Sequence, residues 1–152
     1  MNSSQIEPPV LIARALLFML QKRIRFEKDI VGTISYEYED DYYEVFRKII
    51  LDPKGDQPKK PGAVFRVTFN FSSFSIPTNK KLSLLPIPFI IGQPGFRSKT
   101  WMIGKKTGKF LGLYEWDTLE SAKDYWNSFP LKLMKRRSVP ESLHYEIHAI
   151  DE

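Results

Sequence analysis

The sequence predicts an α+β protein whose main domain follows the order β-α-β-β-α-β. Three observations carry this prediction. Val64–Ser72 alternates strictly, with Phe65, Val67, Phe69 and Phe71 on one side and Arg66, Thr68 and Asn70 on the other. Two strand-like runs, Phe96–Ile103 and Lys109–Trp116, flank the glycine turn "GKKTG". A helical stripe after Asp117 then leads to a last alternating run, Ser142–Ile150.

The elements follow in chain order. Pro9–Lys28 carries Leu16, Met19, Leu20 and Ile24 at helical spacing, with Arg14, Gln21, Arg25 and Lys28 toward another side. This predicts an amphipathic helix that docks on the main domain, pairs with another subunit or lies on a membrane surface. In Thr33–Leu51, Ile34, Tyr36 and Tyr38 alternate like a strand, whereas Tyr42–Leu51 suits a helix or a strand equally. "DPKGDQPKKPG" then reads as a loop and divides the chain into an N-terminal extension, 1–61, and a main domain, 62–152. After the first strand, Ser75–Leu85 opens a helix with Pro77 near its first position, and Pro86 and Pro88 interrupt it. In "DTLESAKDYW", Asp117 is placed to cap a helix and Glu120 to complete a capping box, with Leu119, Ala122, Tyr125 and Trp126 as the apolar stripe. The sum is a ferredoxin-like plan: a four-stranded antiparallel sheet with both helices on one face, and another face that something must cover.

Composition sets the function classes. The chain has 152 residues, 42% of them hydrophobic, enough for a packed core. It has no cysteine, which removes disulfides, thiolate metal sites and a cysteine nucleophile. The reading is of a cytoplasmic protein. No apolar run reaches the roughly 20 residues of a membrane span; Pro8–Leu20 is shorter and holds Arg14. The net charge of +5 lies wholly in 62–152, since 1–61 balances ten Lys/Arg against ten Asp/Glu. Such a bias suits an anionic ligand, nucleic acid or an acidic membrane.

The run "PGFRSKTWMIGKKTGKFLGLYEWDTLESAKDYWNSF" resembles the second half of dimeric α/β-barrel proteins of the antibiotic-biosynthesis-monooxygenase-like group. The shared grammar is a Pro-Gly-Phe entry, an aromatic residue in the strand and a glycine turn. Gly-x-Tyr-x-Trp and an aspartate-started helix with an Ala-x-x-Tyr stripe follow. The resemblance spans about residues 63–150. It implies a homodimer, with two sheets packed face to face as a barrel, and a pocket between sheet and helices. Members include cofactor-free oxygenases, haem-degrading enzymes and proteins with no known reaction.

Site candidates come from the residues themselves. His144, Glu146 and His148 share one side of the last strand. At about 3.3 Å per residue the two histidines stand about 13 Å apart, so one ion cannot hold both, and no metal site or cofactor is assigned. His144 is the candidate acid or base, and Arg97 the candidate anion partner beside Lys99 and Arg66; a solvated or dimer-facing strand edge is the other reading of those cations. Trp101, Tyr114, Trp116, Tyr125, Trp126 and Phe69 are candidates to line a pocket for a flat ligand, or simply core. "KLMKRR", Lys132–Arg137, is a basic run for phosphates or headgroups, or a solvated face. Nucleic acid is an unlikely partner: "GKFLGLYEW" departs from the RNA-recognition core at most positions. There is neither a phosphate-binding G-x-x-x-x-G-K-S/T loop nor a G-x-S-x-G elbow. The leading expectation is a small-molecule-binding protein, a cofactor-independent monooxygenase on an aromatic or polyketide-like substrate. The alternative is a non-catalytic ligand-binding or interaction module, touching a partner or membrane through residues 9–28.

Overall fold

The structure, a computed structural model, describes residues 6–150. The ferredoxin-like order is present. Strand β4 (Ala63–Phe69) leads to helices α2 (Ile76–Leu82) and α3 (Ile87–Ile91). The hairpin β5 (Phe96–Gly104) and β6 (Phe110–Trp116) follows, then α4 (Leu119–Tyr125), α5 (Phe129–Arg137) and β7 (His144–Ala149). These four strands lie in the order β5-β6-β4-β7, all antiparallel.

The sheet is larger than the four strands expected, because the extension joins it. Helix α1 spans Pro8–Leu20, and β1 (Ile24–Phe26), β2 (Ile34–Tyr38) and β3 (Asp41–Leu51) follow. Strand β3 pairs with β5 along Tyr43–Ile50, and β1 and β2 both pair with the outer edge of β3. The result is an open sheet of seven strands. The extended helix expected over Pro9–Lys28 stops early. Lys22 takes a left-handed φ of 57° and the Arg23 amide bonds back to the Phe18 carbonyl. Arg23 then anchors the exit: its guanidinium lies 4.7 Å from the Phe18 ring centre and donates to the Asp52 carbonyl and to Gln57.

All five helices lie on one face. Phe65, Val67, Phe69, Tyr114 and Trp116 pack there with Ala15 and Phe18 of α1, Ile90 and Ile91 of α3, and Ala122 and Tyr125 of α4. The opposite face carries a second cluster, Tyr43, Val45, Met102 and Leu111, over which Ile30, Tyr36 and Tyr38 fold. The tyrosines reach β4: the Arg66 guanidinium sits 4.0 Å from the Tyr38 ring centre and 3.2 Å from the Tyr36 hydroxyl. Part of the face expected to meet a second subunit is therefore covered by the chain's own extension. On α1, Leu16, Leu17, Met19 and Leu20 are exposed. Among the described residues no helix is long and apolar enough to cross a membrane.

Two local readings change. Thr118, not Asp117, caps α4 by accepting from the Ser121 amide; the Asp117 carboxylate instead takes hydrogen bonds from Arg97 and Gln57. In "GKKTG", Gly108 has the positive φ of 72°, whereas Gly104 is needed for space, since a Cβ there would run into the Asp41 carboxylate.

That carboxylate ties the extension to the β5–β6 turn. Buried Asp41 accepts from the Tyr42, Lys106 and Thr107 amides at 2.8, 2.8 and 3.1 Å and from the Thr107 hydroxyl at 2.5 Å. Burial pushes its pKa up, but these four donors together hold it below the usual carboxylate value. Asp41→Ala is expected to cost about 2–3 kcal/mol at neutral pH, measured by chemical denaturation. A group with a depressed folded pKa contributes above its unfolded value of about 3.9 and loses that contribution as pH falls through the folded value. The stabilities of variant and parent should therefore converge in acid.

Candidate functional site

A cavity of about 370 Å³ opens between the sheet and the helices, in the range of small-ligand sites. Its floor is formed by the middle of the sheet: Val67 and Phe69 of β4, Lys99 and Trp101 of β5, and Phe110, Gly112 and Tyr114 of β6. The walls are Leu82 of α2, Phe89 and Ile90 of α3, Tyr125 of α4 and Pro130, Leu133 and Met134 of α5. The exposed Leu85 and Arg136 mark the mouth, with Arg137 beside them.

The sequence places these side chains by strand parity, with one interruption. Alternation alone puts Arg97 and Lys99 on the same side and Phe96 on the other. A register shift between Phe96 and Ser98 breaks that parity. Phe96 and Lys99 consequently both face the helices: Phe96 packs on Trp116, and Lys99 enters the cavity.

Among the described residues Lys99 is the only basic side chain on the cavity floor, and only 7% of it is exposed. Among the described residues its Nζ has no hydrogen bond and no ion pair. Its Nζ lies 4.4 Å from the Trp101 ring centre and 4.6 Å from that of Tyr114. Ring faces attract a cation, but by far less than water does. Burial, and then the positive charge of Arg47, hold the Lys99 pKa well below the ordinary lysine value. Arg47 itself donates to the Ser83 hydroxyl at 2.7 Å and to the Lys80 carbonyl, and lies 5.1 Å from the Trp101 ring centre. Gly112 makes room for this arrangement. A Cβ there would stand 2.9 Å from the Tyr114 ring and 3.3 Å from Lys99 Cε.

Tyr114 and Tyr125 are both fully enclosed, and the Tyr125 hydroxyl donates to that of Tyr114 at 3.1 Å. Burial pushes both phenols above the usual value, so both stay protonated at neutral pH. At the mouth, Arg137 donates to Asn79 Oδ1 at 2.5 Å and covers the Phe71 ring at 4.6 Å. Among the described residues no aspartate or glutamate lines the cavity, and its basic groups are Lys99 on the floor and Arg136 and Arg137 at the mouth.

Of the residues singled out from sequence, Phe69, Trp101, Tyr114 and Tyr125 line this cavity together. Trp116 is buried between Phe96 and Tyr125 outside the lining, and Trp126 stacks on Tyr145 at 3.7 Å beneath the Lys135 ammonium. Arg97 is buried elsewhere, donating to the Pro58 and Lys59 carbonyls and to Asp117. His144 lies on the exposed edge strand β7, outside the lining. The pairing of β7 with β4 sets His144 opposite Thr68 and Glu146 opposite Arg66, to which Glu146 is salt-bridged at 2.6 Å on the far face. Lys99 was legible only as one of three strand cations. The other two, Arg66 and Arg97, have partners that leave them no free charge.

No family model and no curated protein matches the sequence. Solved structures do. The heme-degrading enzyme LmHde of Listeria monocytogenes matches with a TM-score of 0.56 at 17% identity, over 77% of this chain and 76% of its own. An uncharacterised ferredoxin-fold protein related to antibiotic biosynthesis monooxygenases, from the same organism, matches with a TM-score of 0.53 at 18% identity, over 78% and 69%. An anthrone oxidase-like protein matches with a TM-score of 0.51 at 12% identity, over 74% of this chain and 55% of its own. All three overlaps are longer than residues 62–152 alone could supply, so they take in part of the extension. At these identities the likeness is one of fold, the ferredoxin-like fold.

Proposed function

We propose that the cavity binds a flat, largely apolar organic molecule that carries or acquires a negative charge, and that the protein oxygenates it without a cofactor. The observation that carries this reading is Lys99: a buried, unpaired amine in an aromatic cavity that holds no acid. The fold is shared with an anthrone oxidase-like protein and with a relative of antibiotic biosynthesis monooxygenases, which supports an aromatic or polyketide-like substrate.

The chemistry follows from the residues. Trp101, Phe69 and Tyr114 offer ring faces to a flat substrate. Burial and Arg47 favour the unprotonated Lys99 amine, and in that form it takes a proton from an acidic CH₂ next to aromatic rings or a carbonyl. The resulting carbanion lies against the new ammonium, and the Tyr114 hydroxyl is placed to donate to the enolate oxygen. Dioxygen adds to the anion, the peroxide takes a proton, and loss of water leaves a ketone: CH₂ and O₂ become C=O and H₂O. Arg136 and Arg137 attract the anion to the mouth. Haem is the substrate of one structural neighbour; this lining holds neither histidine nor cysteine, and Tyr114, Tyr125 and Met134 are the side chains in it that could meet haem iron.

The test uses 2-naphthoate as a binding probe and an anthrone as a substrate. Tryptophan fluorescence is expected to fall on 2-naphthoate binding, and oxygen uptake with the anthrone is expected to exceed its spontaneous oxidation. Both effects should drop at least about tenfold in Lys99→Met, the equivalent of about 1.4 kcal/mol. Binding without oxygen uptake would leave the non-catalytic ligand-binding reading in its place.

A further inference from the structure

An amine that is buried, unpaired and beside a second cation has a use beyond holding a charge. Lysines in apolar pockets next to another cationic group act as nucleophiles toward carbonyl carbon, because the free amine is present at neutral pH. Lys99 meets each condition. It is buried, it lines a cavity large enough for a ligand, and its charged neighbour Arg47 is fixed by Ser83 and the Lys80 carbonyl. Its side chain runs over Gly112, where the missing Cβ leaves space for the stem. The Nζ is thereby set near the faces of Trp101 and Tyr114.

We propose that Lys99 forms a covalent imine with an aldehyde or ketone of flat, apolar frame bound in this cavity. The proposal rests on the cavity's being a binding site, as argued above, and not on oxygenation.

The step balances without any further reagent. The Nζ lone pair attacks the carbonyl carbon, a C–N bond forms, and the C=O π pair moves to oxygen. A proton passes from nitrogen to that oxygen, giving a carbinolamine. The nitrogen lone pair then expels the oxygen as water, leaving a protonated C=N. The leaving oxygen takes its proton from the Tyr114 hydroxyl, whose own hydrogen is free because Tyr125 is the donor in their contact. The iminium places a positive charge against the two ring faces, balanced by the Tyr114 phenolate that the proton transfer leaves until water returns the proton. An apolar lining slows the return of water. Once formed, the iminium draws electrons from the neighbouring C–H or C–carboxylate bond, so the substrate class widens to ketones and keto acids that react next to the carbonyl. A carboxylate on such a molecule would meet Arg136 and Arg137 at the mouth.

The experiment is borohydride trapping of the full chain with 2-naphthaldehyde at about pH 7, where exposed lysines are protonated and inert. Intact mass and peptide mapping read the result. One adduct is expected, on the peptide containing Lys99, heavier than the peptide by the aldehyde's mass less one oxygen. It should be absent from Lys99→Met and from Lys99→Arg, both first shown to unfold cooperatively, and 2-naphthoate should protect against it. Labelling spread evenly over surface lysines, or persisting in Lys99→Met, overturns the imine. No adduct in a chain whose fluorescence still responds to 2-naphthoate also overturns it, while leaving the binding site intact. No adduct and no response to 2-naphthoate overturns both.

Discussion

A chain reduced to residues 62–152 is expected to aggregate rather than fold. Strand β3 places Tyr43, Val45, Ile49 and Leu51 at 3% exposure or less. Each such side chain contributes about 1.5–3 kcal/mol on burial, so the four together supply about 6–12 kcal/mol. That is comparable to the whole stability of a domain, about 5–15 kcal/mol. Removing β3 would also turn β5, buried along nearly its whole length, into an exposed edge with Trp101, Met102 and Ile103 on it. Long apolar edges recruit other strands. The check is solubility and cooperative unfolding of the shortened chain. A soluble 62–152 that melts in one transition and still binds 2-naphthoate would show the extension to be an accessory.

Lys99→Met is expected to do two opposite things: stabilise the fold and remove the function. Methionine is apolar and of similar length, so it fills the site without a buried amine. Removing a buried polar group that has no hydrogen-bond partner commonly gains about 1 kcal/mol, here a rise of about 2–4 °C in melting temperature. The pH dependence gives a second readout. The folded pKa of Lys99 is depressed, so between that value and about 10.4 the unfolded chain holds a proton that the folded chain has lost. Stability from this group therefore rises with pH across that window and is lower below it. The variant should lack that rise. A stabilised protein that no longer binds 2-naphthoate is what a ligand site built at the cost of stability predicts. A destabilised variant with unchanged binding would mean that Lys99 is a packing element.

The ferredoxin-like core was legible because the β4 sequence alternates apolar and polar residues, although β4 and β5 turn out to be buried on both faces. Phe65, Val67 and Phe69 read correctly as one face of β4, and the "GKKTG" turn read correctly as the β5–β6 hairpin. Strand β3 was not legible. It is buried on both faces at Tyr43, Val45 and Ile49, and a register shift between Val45 and Arg47 breaks its alternation, so "YYEVFRKIIL" fits two periods. The same kind of shift, at Phe96/Ser98, hid the site. It moved Lys99 into the cavity and Arg97 away from it, where simple alternation keeps them together. Parity did place His144, Glu146 and His148 on one side, but nothing local to "HYEIH" says which face of the sheet that side is. The Glu146–Arg66 pair fixes it as the one away from the helices. The aromatic residues were visible as a set, and only the packing of α4 separates Tyr125 in the cavity lining from Trp126 on Tyr145.

The most direct test of the central claim, that Lys99 is an amine of lowered pKa in a ligand cavity, is a pH titration of the lysine Cε signals by carbon-13 NMR, with Lys99 assigned by its loss in Lys99→Met. One lysine is expected to titrate well below the others, its signal displaced on adding 2-naphthoate. A Lys99 signal that titrates together with the surface lysines and ignores 2-naphthoate would contradict it.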